Sequence, residues 1–204
     1  MSNTLGSGKG GYLFIDTHHL TLSNQSAVSA NSFGIGDAGN LQIKTNQITL
    51  AQGGEITSAA AQAVGGNIRI SASTLIDLQD SKITTSVHGG KGNGGNITIE
   101  HPNFVILDKS KIVAQADEGY GGNIRIAAEQ FIKSPDSLIS ASSRLGLDGE
   151  VRIDSPAVDL DAMLILLPGG YVEAQLKKCN IKEELDNPNT FTVKPRLMSP
   201  PLLK

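Results

Sequence analysis

The chain has 204 residues, a formal net charge of -3 and a pI near 5.8, so it is long enough to bury a core and offers no basic field for nucleic acid. It carries 23 glycines, no tryptophan and a single cysteine, Cys179, which excludes an internal disulfide and a metal site of clustered thiolates. Its longest apolar run, Met163 to Leu167, is too short to span a bilayer, so no membrane insertion is expected, and the opening MSNTLGSGKGG lacks the apolar stretch of a signal peptide. That opening suits either a protein kept inside the cell or a downstream piece of a longer one.

Six units follow one another, each marked by the residue after a glycine: Tyr12, Asn40, Asn67, Asn96, Asn123 and Glu150, spaced 28, 27, 29, 27 and 27. The first unit predicts a strand with Leu13 and Ile15 on one face, a second strand with Leu20 and Leu22, and a third at Val28. The second unit repeats this with Leu41/Ile43, Ile48/Leu50 and Ile56, and the third with Ile68/Ile70, Ile76/Leu78 and Ile83. In the fourth unit the positions are Ile97/Ile99, Val105/Leu107 and Ile112; in the fifth, Ile124/Ile126, Ile132 and Ile139. The sixth has Val151/Ile153, Val158/Leu160 and Leu166. The third-strand residue always lies sixteen beyond its anchor, whereas the second strand slips by one residue between units, as a bulge or altered turn allows. Beyond Pro168, the spacing of Val172, Leu176 and Cys179 predicts a short helix over 171–179 that covers the end of the core, and 186–204 reads as an extended, proline-rich tail. The chain thus divides into coils at 1–167 and a cap with tail at 168–204.

Three short strands per unit of about 28 residues, separated by turn residues, predict an all-β chain folded as a parallel β-helix, a solenoid of about six three-strand coils. A leucine-rich repeat would show its own leucine and asparagine spacing, and a WD-type blade needs about 40 residues. One coil cannot bury its own apolar face, so stacking must place each isoleucine on its equivalent in the next coil. The hexapeptide GGNIRI, present at 65–70 and 121–126 with GGNITI at 94–99, is then one rung. Its glycines are expected to supply a positive φ at the corner, and Asn40, Asn67, Asn96 and Asn123 to form a structural ladder of amides bonding to neighbouring turns.

The recurring G-G-N-I-x-I, the run from GEVRIDSPAVDL through a proline-ended apolar strand to a cysteine-bearing segment, and the closing NPNTFTVKPR resemble the C-terminal part of filamentous-haemagglutinin-like exoproteins of bacterial two-partner secretion. The resemblance covers nearly the whole chain. It implies a right-handed β-helix, export through an outer-membrane partner transporter, and a role at the cell surface or in the medium as an adhesin or spacer. In that family the transporter is engaged through a secretion signal and an amino-terminal recognition domain that this sequence lacks. Asn187, Pro188 and Asn189 are similar to that domain's Asn-Pro-Asn-Gly motif, but Thr190 replaces the glycine and no function is carried onto them.

Candidate chemistry is sparse, and no cofactor is expected. Two G-x-G-x-x-G segments, at 6–11 and 90–95, lead into strands and so lack the helix N-terminus that would hold a phosphate; GGKGNGG lacks the carboxylate of a calcium loop. His18, His19, His88 and His101 have no metal-ligand spacing, and there is no G-x-S-x-G. Asp77/Asp80, Asp108, Asp117/Glu118 and Asp159/Asp161 are the carboxylates that a polysaccharide-cleaving β-helix could use, and a solvated face is the preferred reading of each. The outward middle position of the first strand is Phe14, Gln42, Arg69, Thr98, Arg125 and Arg152, a column in which Arg125 and Arg152 should be neighbours. With the basic pair Lys82 and Lys111 it forms a candidate site for an anionic surface glycan, opposed by Glu100, Glu150 and Asp154. The expected function is a non-enzymatic structural or adhesive module meeting a surface glycan or cell-surface receptor; the alternative is a carbohydrate-binding or carbohydrate-cleaving β-helix.

Overall fold

The computed structural model describes residues 1–156, and there the chain is all-β, with no helix among the described residues. Coil one holds β1 (Tyr12–Asp16), β2 (His19–Leu22) and β3 (Ala27–Ser29). Coil two fuses its first two strands into β4 (Asn40–Ala51) before β5 (Glu55–Thr57), and coil three does the same with β6 (Ile68–Gln79) and β7 (Lys82–Thr84). Coil four has β8 (Ile97–Glu100), β9 (Phe104–Asp108) and β10 (Lys111–Val113). Coil five has β11 (Ile124–Ala127), β12 (Gln130–Lys133) and β13 (Leu138–Ser140), and β14 (Val151–Asp154) opens the next.

Every strand pairs in parallel with its equivalent in the adjacent coil, giving a β-solenoid of about five turns with a nine-stranded sheet and a five-stranded sheet. The first-strand rungs are in the register that the anchors demand: Leu13, Leu41, Ile68, Ile97, Ile124 and Val151 stack in one column. Third strands stack Val28, Ile56, Ile83, Ile112 and Ile139. Together with Ile48, Leu50, Ile76, Leu78, Val105 and Leu107 these form one continuous core, except for Val151, which is exposed. Each fully buried aliphatic of this size is worth about 1.5–3 kcal/mol relative to exposure, so every added coil strengthens the stack.

Two expectations are corrected. Ile132 is not the second-strand core residue of coil five: Phe131 aligns with Val105 and packs against the core, while Ile132 points outward at 52% exposure. The turn before β12 is one residue shorter than the turn before β9, which shifts the inward position back by one. Lys133 consequently occupies the register of Leu107, and its ammonium donates to the carbonyls of Ser134 and Ser137, at 3.2 and 2.9 Å. The slip between coils two and three is a bulge, in which Asn46 faces both Ser73 and Thr74.

The second correction concerns the glycines of the rung. None of Gly66, Gly95 and Gly122 has a left-handed φ; a Cβ on each would instead fall inside the van der Waals sphere of the carbonyl oxygen of the glycine one coil before. Close backbone approach is the requirement there. Left-handed backbone recurs instead at the corner between second and third strands, at Gln25, Gly53, Asp80 and Lys109, and occurs singly at His101 between β8 and β9 and at Gly90 in the loop before β8.

Residues 2–11 run along the loop column of coil one: the N–H groups of Ser2, Thr4 and Gly10 donate to the carbonyls of Ser29, Asn31 and Asp37. The expected inward positions Val158, Leu160 and Leu166, the helix at 171–179, the tail at 186–204 and the boundary at 167/168 lie outside the described residues.

Candidate functional site

Parallel stacking turns each outward sequence position into a column running along the solenoid axis, with neighbours about 4.8 Å apart. Two such surfaces carry the candidate residues, and they belong to different sheets.

On the nine-stranded sheet the column is Phe14, Gln42, Arg69, Thr98, Arg125 and Arg152, with Arg125 directly beside Arg152. Its guanidinium groups all have acidic partners. Arg69 stands 3.7 Å from Glu100, Arg125 is 3.3 Å from Asp154, and Arg152 donates to the same carboxylate at 2.8 Å. That hydrogen bond, reinforced by the charges of Arg152 and Arg125, holds the Asp154 carboxyl below the usual aspartate range. An anionic ligand on this face must displace carboxylates already in place.

The five-stranded sheet is arranged differently. Lys82 and Lys111 are adjacent in register, so the five basic candidates form two separate groups. Lys82 reaches Glu55 at 2.8 Å, whereas Lys111 forms no ion pair among the described residues. After each third strand the chain bends toward a column of isolated bridges through Ser32, Ala60 and Val87. The bend is fixed from inside: Ser58 and Thr85 turn their hydroxyls inward, and these donate to the carbonyls of Gly39 and Gly95. Outside the bend lies an open groove of about 540 Å³. Thr57, Thr84 and Val113 share the column along its floor, Lys82 and Lys111 edge one side, and Phe33 and His88 line the other. Gln115 stands further along β10's outward side, donating to the hydroxyls of Ser140 and Ser142 at 3.2 and 2.9 Å.

The amide column hydrogen-bonds from coil to coil. The Asn40 side-chain oxygen accepts the Asn67 N–H at 2.9 Å, Asn67 accepts that of Asn96 at 3.0 Å, and Asn96 accepts that of Asn123 at 2.9 Å. Asn123 passes the pattern to the N–H of Glu150 at 3.0 Å. A second ladder is buried: Ser110 accepts the N–H of Ser81 at 3.1 Å, and Ser137 accepts that of Ser110 at 3.0 Å. Its signal was present, since Ser26, Ser81, Ser110 and Ser137 all lie fourteen residues past their anchors. For the groove the signal was weaker: Thr57, Thr84 and Gln115 occupy outward strand positions, but only the bend makes them converge.

The remaining candidates are dispersed. His18 and His101 line a corner groove of about 520 Å³ together with Asp16, Lys44 and Ser71, while His88 belongs to the five-stranded face. Among the described residues no three His, Cys, Asp or Glu side chains are placed to hold a metal ion. Asp77 accepts from Gln79 at 3.1 Å, Asp80 sits at a left-handed corner, and Asp108 ends β9. Asp117 pairs with Arg144, whose hydrogen bond lowers the carboxyl's pKa. Asp159 and Asp161 lie outside the described residues. The G-x-G-x-x-G segments at 6–11 and 90–95 lie in the loop column before β1 and β8. Comparison of the chain with family models, curated proteins and solved structures found no match.

Proposed function

We propose that this chain is a non-enzymatic structural and adhesive module from the C-terminal part of a secreted bacterial surface filament of the filamentous-haemagglutinin-like type. The observation that carries the reading is the unbroken register of the first-strand rungs: their equivalent residues lie over one another through every described coil, so side chains are displayed at fixed spacing on a stiff support. Such a stack buries a continuous aliphatic core and leaves its outward positions free to vary, which suits presentation to a partner. The G-G-N-I-x-I rungs and the NPNTFTVKPR ending add the family resemblance. In this reading an outer-membrane partner transporter exports the parent protein, and the ligand is a surface glycan or cell-surface receptor.

Antibody raised against the chain, used on fractionated source cells, tests this. A band much larger than 21.4 kDa at the surface or in the medium is expected. A band of 21.4 kDa confined to the cytoplasm would overturn the export reading. A carbohydrate-binding role is favoured by one specific observation, the polar groove over the five-stranded sheet, where Lys111 forms no ion pair among the described residues.

A further inference from the structure

We propose that the groove over the five-stranded sheet binds a linear uronate polysaccharide, laid along the solenoid axis across β5, β7 and β10, with Lys111 as its principal carboxylate contact. The proposal rests on the carbohydrate-binding reading and is independent of export.

The floor of the groove is the face of a sheet. Its backbone N–H and C=O groups are already paired between coils, so a ligand meets side chains only. An extended peptide binds mainly through main-chain hydrogen bonds at a sheet edge, which this face does not offer. What it does offer is a row of small polar groups, Thr57 and Thr84 on the floor with Gln115 beside them. Hydroxyl and amide side chains both donate and accept, as the hydroxyls of a sugar ring require. Thr57 and Thr84 hold equivalent positions in adjacent coils, about 4.8 Å apart, a spacing comparable with one sugar unit of an extended chain, so two successive units meet equivalent hydroxyls before Val113 takes that place in the next coil. Across the groove the half-exposed ring of Phe33 provides an apolar surface for a sugar face.

Charge then selects an acidic polymer. Lys82 and Lys111 stand side by side, and among the described residues Glu55 compensates only Lys82. One ammonium therefore remains to take a carboxylate, by a charge-assisted hydrogen bond of the kind that is roughly twice as strong as a neutral one. The arginine column on the other sheet has no such vacancy, because Glu100 and Asp154 occupy it.

The test measures binding of the full chain to polygalacturonate, with dextran as the neutral polymer and polyuridylate as a phosphate polymer. Polygalacturonate should bind best. Lys111→Glu should weaken binding by about tenfold or more, consistent with loss of a charge-assisted contact. Thr84→Val should weaken it several-fold, and the double change Arg125→Ala with Arg152→Ala should leave it within about twofold. Lys111 is exposed, so its variants should keep the parent's melting curve, and Lys111→Gln serves if Lys111→Glu does not fold. The proposal is overturned by no binding to polygalacturonate, by equal binding of dextran, by stronger binding of polyuridylate, or by unchanged affinity of a folded Lys111 variant. Loss of binding in the double arginine variant would also overturn it, by moving the site to the other sheet. Uronate binding by a protein found only in the cytoplasm would remove the export reading and leave the groove standing; surface location without binding would do the reverse.

Discussion

At the scale of single residues, the two hydrogen-bonding ladders differ in burial, and burial decides what each is worth. The Asn96 side chain is exposed, so water can replace its oxygen at the Asn123 N–H. Ser110 is fully buried and supplies the partner of the Ser81 N–H, which water cannot reach without opening the corner. Leaving a buried donor unsatisfied costs about 1–3 kcal/mol, against about 1 kcal/mol or less for a replaceable surface bond. Urea unfolding should therefore show Ser110→Ala more destabilising than Asn96→Ala, and the reverse order would mean that the conspicuous asparagines are the principal tie between coils. The asparagine repeat was legible because it adjoins the glycine pair; the serine column was obscured by Gly54, which takes its place in coil two.

At the scale of elements, the first strand and its preceding glycine act as one unit, since the glycine sets how closely successive turns approach. Gly95 packs its Cα against the carbonyl of Gly66, and this contact recurs at Gly122 against Gly95. Gly95→Ala must push two coils apart or tilt β8, at a cost of about 1–3 kcal/mol or more, as for overpacking in a core. Gly8→Ala is the comparison, because nothing lies within 4 Å of a Cβ there, and it should shift stability by no more than about 0.5 kcal/mol. Thermal melts of the two variants would decide it, and equal effects would show that the rung glycines are not held by close approach. Strand positions were readable from period-two alternation, as in Ile97 and Ile99. Coil five was misread because Ile132 is a strong aliphatic signal, and the shorter turn that turns Phe131 inward is visible only against the register of β9.

At the scale of the molecule, a solenoid is nearly one-dimensional: each coil contacts its neighbours, and stability is a sum of coil and interface terms. Deleting Asn67–Gly95, which joins Gly66 to Asn96 and removes one whole coil, should leave a cooperatively folded protein of lower stability. Its urea m-value should fall with the lost buried area. A chain that unfolds without a cooperative transition after this deletion would show that the coils are not interchangeable units. What the sequence determined by itself was the architecture. A repeat of about 28 residues whose apolar positions alternate cannot bury that face alone, and stacking in register is the economical way to satisfy every isoleucine at once. Only the tertiary structure decided the rest: that Arg125 and Arg152 share Asp154, that Lys111 has no such partner among the described residues, that the glycines serve close approach, and that Thr57 and Thr84 floor a groove. Those properties depend on contacts between residues a full coil apart and on the bend after each third strand, and a pattern read along one strand encodes neither.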